Sequence, residues 1–281
     1  MDYDGSIFFV GTATVLIRFG EITLCTDPNF LHRHDVAHLG YGLTSRRLTN
    51  PAIEIEQLPP LDGIVLSHLH EDHFDRIAEA RLDRSVPIFT NPKAADALAN
   101  KGFLDPRAIR TWDTRSFQKG DLRLDLTALP AQHGPRLVSK LLPPVMGSML
   151  DFSTESGDRL MRIYVSGDTV LHDELYEIPR RYPDVDLALL HLGGTRILGI
   201  YVTMDAREGL TCFKVIDPHL AIPIHYNDYT VFKSPLADFQ KEVHRAGLDH
   251  RVRYLAHGQA YRFTVTAPGP YEEEPAPQSG V

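Results

Sequence analysis

The sequence predicts a protein of mixed α and β class, and three observations predict it. Several short apolar runs lack the alternation of half-exposed strands and read as strands buried on both faces. Other segments carry apolar residues three or four positions apart, the spacing of helices with one buried stripe. Finally, 43% of the 281 residues are apolar, enough to close a substantial core.

In chain order, Thr14 to Phe19, Ile22 to Leu24 and Ile64 to Leu66 read as strands, and a helical pattern begins at Phe74-Asp75-Arg76-Ile77. Lys93 to Asn100 has helical spacing. Strands are expected at Leu122 to Leu129, Ile163 to Ser166 and Leu187 to His191, and helices at Asp173 to Arg181, Asp205 to Val215 and Pro235 to Ala246. There is no internal repeat and no linker-like stretch, so residues 1–267 are expected to form one domain. The last stretch, from Pro268 through Glu272-Glu273-Glu274 to Val281, is rich in Pro, Glu and Gly and reads as a disordered tail.

Charge and composition exclude some classes of function. A net charge of −8 and a pI near 5.9, without a dense Lys/Arg block, lack the basic footprint that binding to a phosphate backbone needs. No nucleic-acid partner is expected. The N-terminal Met1-Asp2-Tyr3-Asp4-Gly5 is acidic where a secretory signal is basic, and only Ile7 to Val10 is apolar after it. No apolar stretch approaches the roughly 20 residues that span a bilayer. Cys25 and Cys212 fall in apolar patterns and read as buried free thiols. A cytoplasmic protein with a small-molecule substrate is the expectation.

Ser67-His68-Leu69-His70-Glu71-Asp72-His73 follows the buried run Ile64-Val65-Leu66. Two-residue spacing on an extended segment points His68 and His70 to one side, while the turn that follows can swing Asp72 and His73 toward a second ion. Neutral imidazole suits zinc and related metals, and an added carboxylate suits a hydrolytic site with open coordination positions. The order His-x-His-x-Asp-His after a strand is far more specific than a lone histidine.

This motif resembles the signature of the metallo-β-lactamase superfamily, and three further segments match in the same order. His133 in Leu129-Pro130-Ala131-Gln132-His133-Gly134 resembles the third histidine of the first site. Asp168 in Val165-Ser166-Gly167-Asp168-Thr169 resembles the aspartate bridging two ions. His225 in Ile222-Pro223-Ile224-His225-Tyr226 resembles the histidine that completes the second site. The resemblance implies a four-layer αββα sandwich. It also implies two divalent ions, Zn2+ by default with Mn2+ or Fe2+ tolerated: His68, His70 and His133 around one, Asp72, His73 and His225 around the other, with Asp168 shared.

Phe9-Val10-Gly11-Thr12-Ala13-Thr14-Val15-Leu16-Ile17 and Leu24-Cys25-Thr26-Asp27-Pro28 resemble the first hairpin of one branch. It contains the ascorbate-phosphate lactonases and the phospholipase D that hydrolyses N-acyl-phosphatidylethanolamine. Many members of that branch carry His after the first Gly. This chain has Thr12, so that residue's role does not carry over. Asp27 reads either as a group holding a ligand histidine by its free ring nitrogen or as a turn residue before Pro28.

Two ions sharing a hydroxide imply a hydrolase, with Asp72 both a ligand and the catalytic carboxylate that orients the nucleophile or passes its proton on. A lactone, ester or phosphodiester bond in a small anionic substrate is expected. A nucleic-acid-processing phosphodiesterase, a β-lactam hydrolase and a non-catalytic binding protein are the alternatives. The long segment from Asn29 to Leu61, with His32, His34, His38, Tyr41, Arg46 and Arg47, reads as a lid over a polar substrate or as an ordinary surface loop. His191 reads as a substrate contact or a buried, hydrogen-bonded histidine. Arg136 and Tyr229 read as groups reaching an anion beside the metals or as exposed residues. His172, His219, His244, His250 and His257 have no ligand-like context.

Overall fold

The computed structural model describes residues 1–40, 42–139, 141–197, 199–267 and 271–273. Two sheets pack face to face. The first has eight strands in the order Tyr271–Glu273, Ala260–Thr266, Asp2–Gly11, Thr14–Phe19, Ile22–Thr26, Gly63–Val65, Ile88–Thr90 and Pro106–Ala108. The second has six, in the order Leu220–Ile224, Leu187–His191, Arg159–Val165, Met146–Thr154, Leu122–Pro130 and Thr114–Lys119. Their facing sides bury Phe9, Ile17 and Phe19 against Leu124, Phe152 and Ile163, each such side chain contributing about 1.5–3 kcal/mol on leaving water.

Both outer faces are covered. Helices Arg76–Arg81 and Pro92–Asn100 cover the first sheet through Ala78 and Leu98, which pack with Ile64 and Ile88. Helices Ala206–Ile216 and Leu236–Arg245 cover the second through Phe213, Phe239 and Val243, beside Tyr164 and Leu190. Strands such as Leu187–His191 are therefore buried on both faces, which is why they do not alternate. The layers are those of the expected αββα sandwich.

Most expected elements are present with shifts of a residue or two at their ends, though the strand expected from Ile163 begins four residues earlier, at Arg159. The expected helix at Asp173 to Arg181 is instead a 3-10 turn, Asp173–Glu177, followed by a single helical turn, Ile178–Arg181. Pro179 supplies no N–H and suits only the opening of that turn. The segment after Asn29 contains a hairpin, Val36–His38 with Thr44–Arg46. It is docked on the body: Leu31, Ala37 and Leu39 pack with Tyr229, and Leu48 N–H donates to Asp228 O at 2.8 Å. Tyr41 lies outside the described residues. So does the expected tail, apart from Tyr271–Glu273, which pairs with Ala260–Thr266.

Cys25 and Cys212 are free and buried. Burial pushes the Cys212 thiol up to about 12, so it is inert near neutral pH. Among the described residues no helix is long and apolar enough to cross a membrane.

Candidate metal centre

The site lies where strands of both sheets end. Asp27 follows Ile22–Thr26, His68 to His73 follow Gly63–Val65, and His133 follows Leu122–Pro130. Asp168 follows Arg159–Val165, and His225 follows Leu220–Ile224. Parallel pairing aligns these ends, Ile22–Thr26 with Gly63–Val65 in one sheet and Arg159–Val165, Leu187–His191 and Leu220–Ile224 in the other. The side chains just beyond the strands thus converge on one rim.

Backbone turns aim them. Gly167 has φ +60°, where a Cβ would stand 2.7 Å from Met146 O, so only glycine lets the chain turn there and present Asp168. His225 takes the left-handed region at φ 59° without being glycine, and its N–H donates to Thr12 O at 2.6 Å. Strain of this kind, of order 1–3 kcal/mol, persists only where neighbours enforce it. After the motif, Asp75 Oδ1 caps the helix Arg76–Arg81 by accepting from Ile77 and Ala78 N–H.

The donors sort into two groups, His68 with His70 and His133, and Asp72 with His73, Asp168 and His225. All are buried, and each group offers ligand atoms within 4.8 Å of one another. In the first, His68 Nε2 and His70 Nδ1 are 2.9 Å apart, and the rings of His68 and His70 lie 5.3 and 5.2 Å from that of His133. In the second, His73 Nε2 is 3.2 Å from Asp168 Oδ2, and His225 Nε2 is 3.5 Å from Asp72 Oδ2. Two donors on a common tetrahedral ion at about 2.1 Å stand roughly 3.4 Å apart. His70 Nε2, Asp168 Oδ1 and His225 Nε2 are buried with no hydrogen-bond partner, a costly arrangement for polar atoms unless they bind something. These donors fit divalent metal ions.

Burial and neighbouring charge prepare most of these groups for that role; at His73 the carboxylates of Asp168, Asp27 and Asp72 outweigh burial and hold the ring well above the ordinary histidine range, so a bound cation would displace its proton. Desolvation, helped by the imidazoles of His73 and His70, holds His68 well below the ordinary histidine range. Desolvation and His133 bring His70 down to about 4, and burial also lowers His133. These rings are therefore neutral at pH 7, the form that ligates. Burial alone would raise Asp168, but His225 and His73 outweigh it and keep the carboxylate well below its usual range. Asp72 is likewise lowered, His73 and His225 overcoming burial.

Second contacts orient the rings. His133 Nδ1 lies 2.7 Å from Val202 O and His225 Nδ1 3.2 Å from Leu192 O, so both present Nε2 to the centre when Nδ1 donates to the carbonyl. Asp27 Oδ2 lies 2.8 Å from His73 Nδ1, while Ser67 N–H and Oγ–H donate to the Asp27 oxygens at 2.6 and 2.8 Å.

The remaining candidates are scattered. A cavity of about 500 Å³ opens on His133 and is lined by Gln132, Arg136, Val145, His172 and Glu174 among others. Arg136 is exposed there. His172 has the same cavity as its context, which its sequence neighbourhood does not reveal. Arg46 is exposed on the hairpin. Arg47 does not face solvent over the site: it is fully buried, donates to Asn29 Oδ1 and sits 5.1 Å from the Tyr229 ring. Tyr229 is not exposed either, its hydroxyl donating to Asn29 Oδ1 at 3.1 Å. His191 is buried behind His73 and Asp27, away from that cavity.

A family model described as "Beta-lactamase superfamily domain" matches residues 36–226. A metal-dependent hydrolase of Oenococcus oeni is 30% identical over 242 residues, 84% of this chain and 91% of that protein. One of Natranaerobius thermophilus is 25% identical over 235 residues, covering 84% and 89%. Among solved structures, an isothiocyanate hydrolase from Delia radicum gut bacteria superposes with a TM-score of 0.75 at 20% identity, over 91% of this chain and 98% of that one. At that identity the likeness speaks to the fold alone.

Proposed function

The chain belongs to the β-lactamase superfamily domain family and has the metallo-β-lactamase fold, and from that premise we propose a hydrolase that works with two divalent metal ions. His68, His70 and His133 would hold one ion and Asp72, His73 and His225 the other, with Asp168 between them. The observation that carries this reading is the sorting of seven buried donors into two compact groups. The donor chemistry favours Zn2+ and tolerates Mn2+ or Fe2+. Bound there, such ions act as Lewis acids and lower the pKa of a coordinated water from 15.7 toward about 7.

The chain's own residues supply the rest. Asp72 has Oδ2 facing His225 and Oδ1 without a partner, so Oδ1 accepts the proton of the attacking water and returns it to the leaving oxygen. Asp168 would offset the repulsion between two such cations. Val202 O and Leu192 O fix the rings of His133 and His225. Arg136, at the cavity on His133, matches a carboxylate or phosphate by its planar fork. A small anionic substrate cleaved at a lactone, ester or phosphodiester bond suits this arrangement.

A substrate panel tests the reading. Lactones, phosphodiesters, β-lactams, isothiocyanates and oligonucleotides are assayed with metal, after chelation and after metal is restored. Turnover of a lactone or phosphodiester that chelation abolishes and metal restores is expected, with Arg136→Ala raising KM about tenfold, the loss of one charge-assisted hydrogen bond. Turnover confined to β-lactams or isothiocyanates would refute the assigned bond, and turnover confined to oligonucleotides would refute the small substrate.

A further inference from the structure

We infer that His191 is a positioning residue that ties the two sheets together behind the second donor group and sets the affinity for the ion held there; this rests on the two-ion reading above. His191 ends the strand Leu187–His191 of the second sheet and is fully buried. Its backbone N–H donates to Ser166 Oγ at 2.9 Å, and its Nδ1 lies 3.2 Å from the same oxygen. Its Nε2 lies 3.4 Å from Asp27 Oδ2, at the end of a strand of the first sheet.

From Asp27 the contacts run on to His73 Nδ1 at 2.8 Å, and from His73 Nε2 to Asp168 Oδ2 at 3.2 Å. Asp168 stands two residues after Ser166. Ser166, His191, Asp27, His73 and Asp168 thus form a closed ring that crosses between the sheets twice. The ring fixes where His73 and Asp168, donors from different sheets, stand relative to each other.

Asp27, His73 and His191 also place ligand atoms within 4.8 Å of one another, which invites a third cation. The hydrogen bonds argue against one. Asp27 already accepts from Ser67 N–H, Ser67 Oγ–H and His73, three of the roughly four lone-pair sites of a carboxylate. A cation would have to break these bonds. His191 Nε2 approaches Oδ2, the oxygen that already accepts two of these bonds, at 3.4 Å, so its imidazole steadies the buried charge across that gap rather than through a further hydrogen bond, while Ser166 holds the other end of the ring.

The test is a titration of the metal-free full-length protein with Co2+ and with Zn2+ against a competing chelator, with the Co2+ visible spectrum distinguishing the two sites. Wild type is expected to bind two ions. His191→Phe should weaken the ion of the Asp72, His73 and His225 group by about 10- to 100-fold, the usual cost of losing a partner of a ligand, and leave the other unchanged. His191→Gln, which returns an N–H near the position of Nε2, should recover most of that loss. Should His191→Phe fail to fold, Ser166→Ala, which releases the far end of the ring, is expected to shift the same ion in the same direction. Unchanged affinities, equal weakening of both ions, or a third ion in wild type would overturn the inference. Fewer than two ions in wild type would instead overturn the two-ion reading on which it rests.

Discussion

Asp72 is the residue at which ligation and chemistry can be separated. If Oδ1 carries a proton during turnover, Asp72→Asn should lower kcat by roughly 10²- to 10⁴-fold even when metal content is restored to that of wild type. Full recovery of kcat with added metal would leave Asp72 a ligand only. Asp27 makes a prediction about stability. Burial disfavours its charge, yet His73 and His191 outweigh burial and bring its pKa from 3.8 down to about 2. The unfolded chain takes up the proton first as pH falls. The stabilisation is therefore complete above about pH 5 and is lost as pH drops through 3.8 toward 2, amounting to about 2 kcal/mol. Urea unfolding of the metal-free protein should show Asp27→Asn less stable by about that amount at pH 7, with the gap narrowing below about pH 4. A gap independent of pH would contradict the ionised role. At this scale the donors were legible because His-x-His-x-Asp-His is chemically distinctive. The setting of His191 and Arg47 was not. A histidine at a strand end reads the same whether it faces substrate or packs on Asp27, and the partners of Arg47 lie 18 and 182 residues away in sequence.

The elements that carry donors are short strands ending in tight turns, and the turn before Asp168 is the most demanding. Gly167→Ala would force a Cβ to within 2.7 Å of Met146 O and 3.3 Å of Ser67 Cβ at φ +60°. A loss of more than about 1 kcal/mol of stability is expected, together with weaker metal binding because Asp168 moves with the turn. Wild-type unfolding and metal affinity in this variant would show that the turn tolerates a side chain. The apolar strands were readable from composition, whereas Met146–Thr154 was not. Its residues Gly147, Ser148, Asp151 and Ser153 look like loop, and it is a strand because Leu122–Pro130 pairs with it along its whole length. Leu220–Ile224 contains Pro223, which is tolerated because this strand lies at the sheet's edge. The hairpin Val36–His38 with Thr44–Arg46 was hidden for a similar reason. It is held by Tyr229 and by His38 N–H donating to Glu71 Oε2 at 2.7 Å, rather than by an apolar pattern of its own.

For the molecule as a whole, the order of strands within the sheets could not be read from periodicity, since each sheet is assembled from segments far apart in the chain. The first joins residues 2–26 to residues 260–266 and to three strands between 63 and 108. What the sequence did carry was the set of chemical groups that this assembly brings to one rim. The proposed chemistry requires these groups to hold two ions per chain. The most direct measurement is elemental analysis of the purified, active protein against protein concentration determined independently. Two divalent metal ions per chain are predicted, with Asp168→Ala losing one more readily than the other. A fully active preparation that holds only one ion per chain would contradict it.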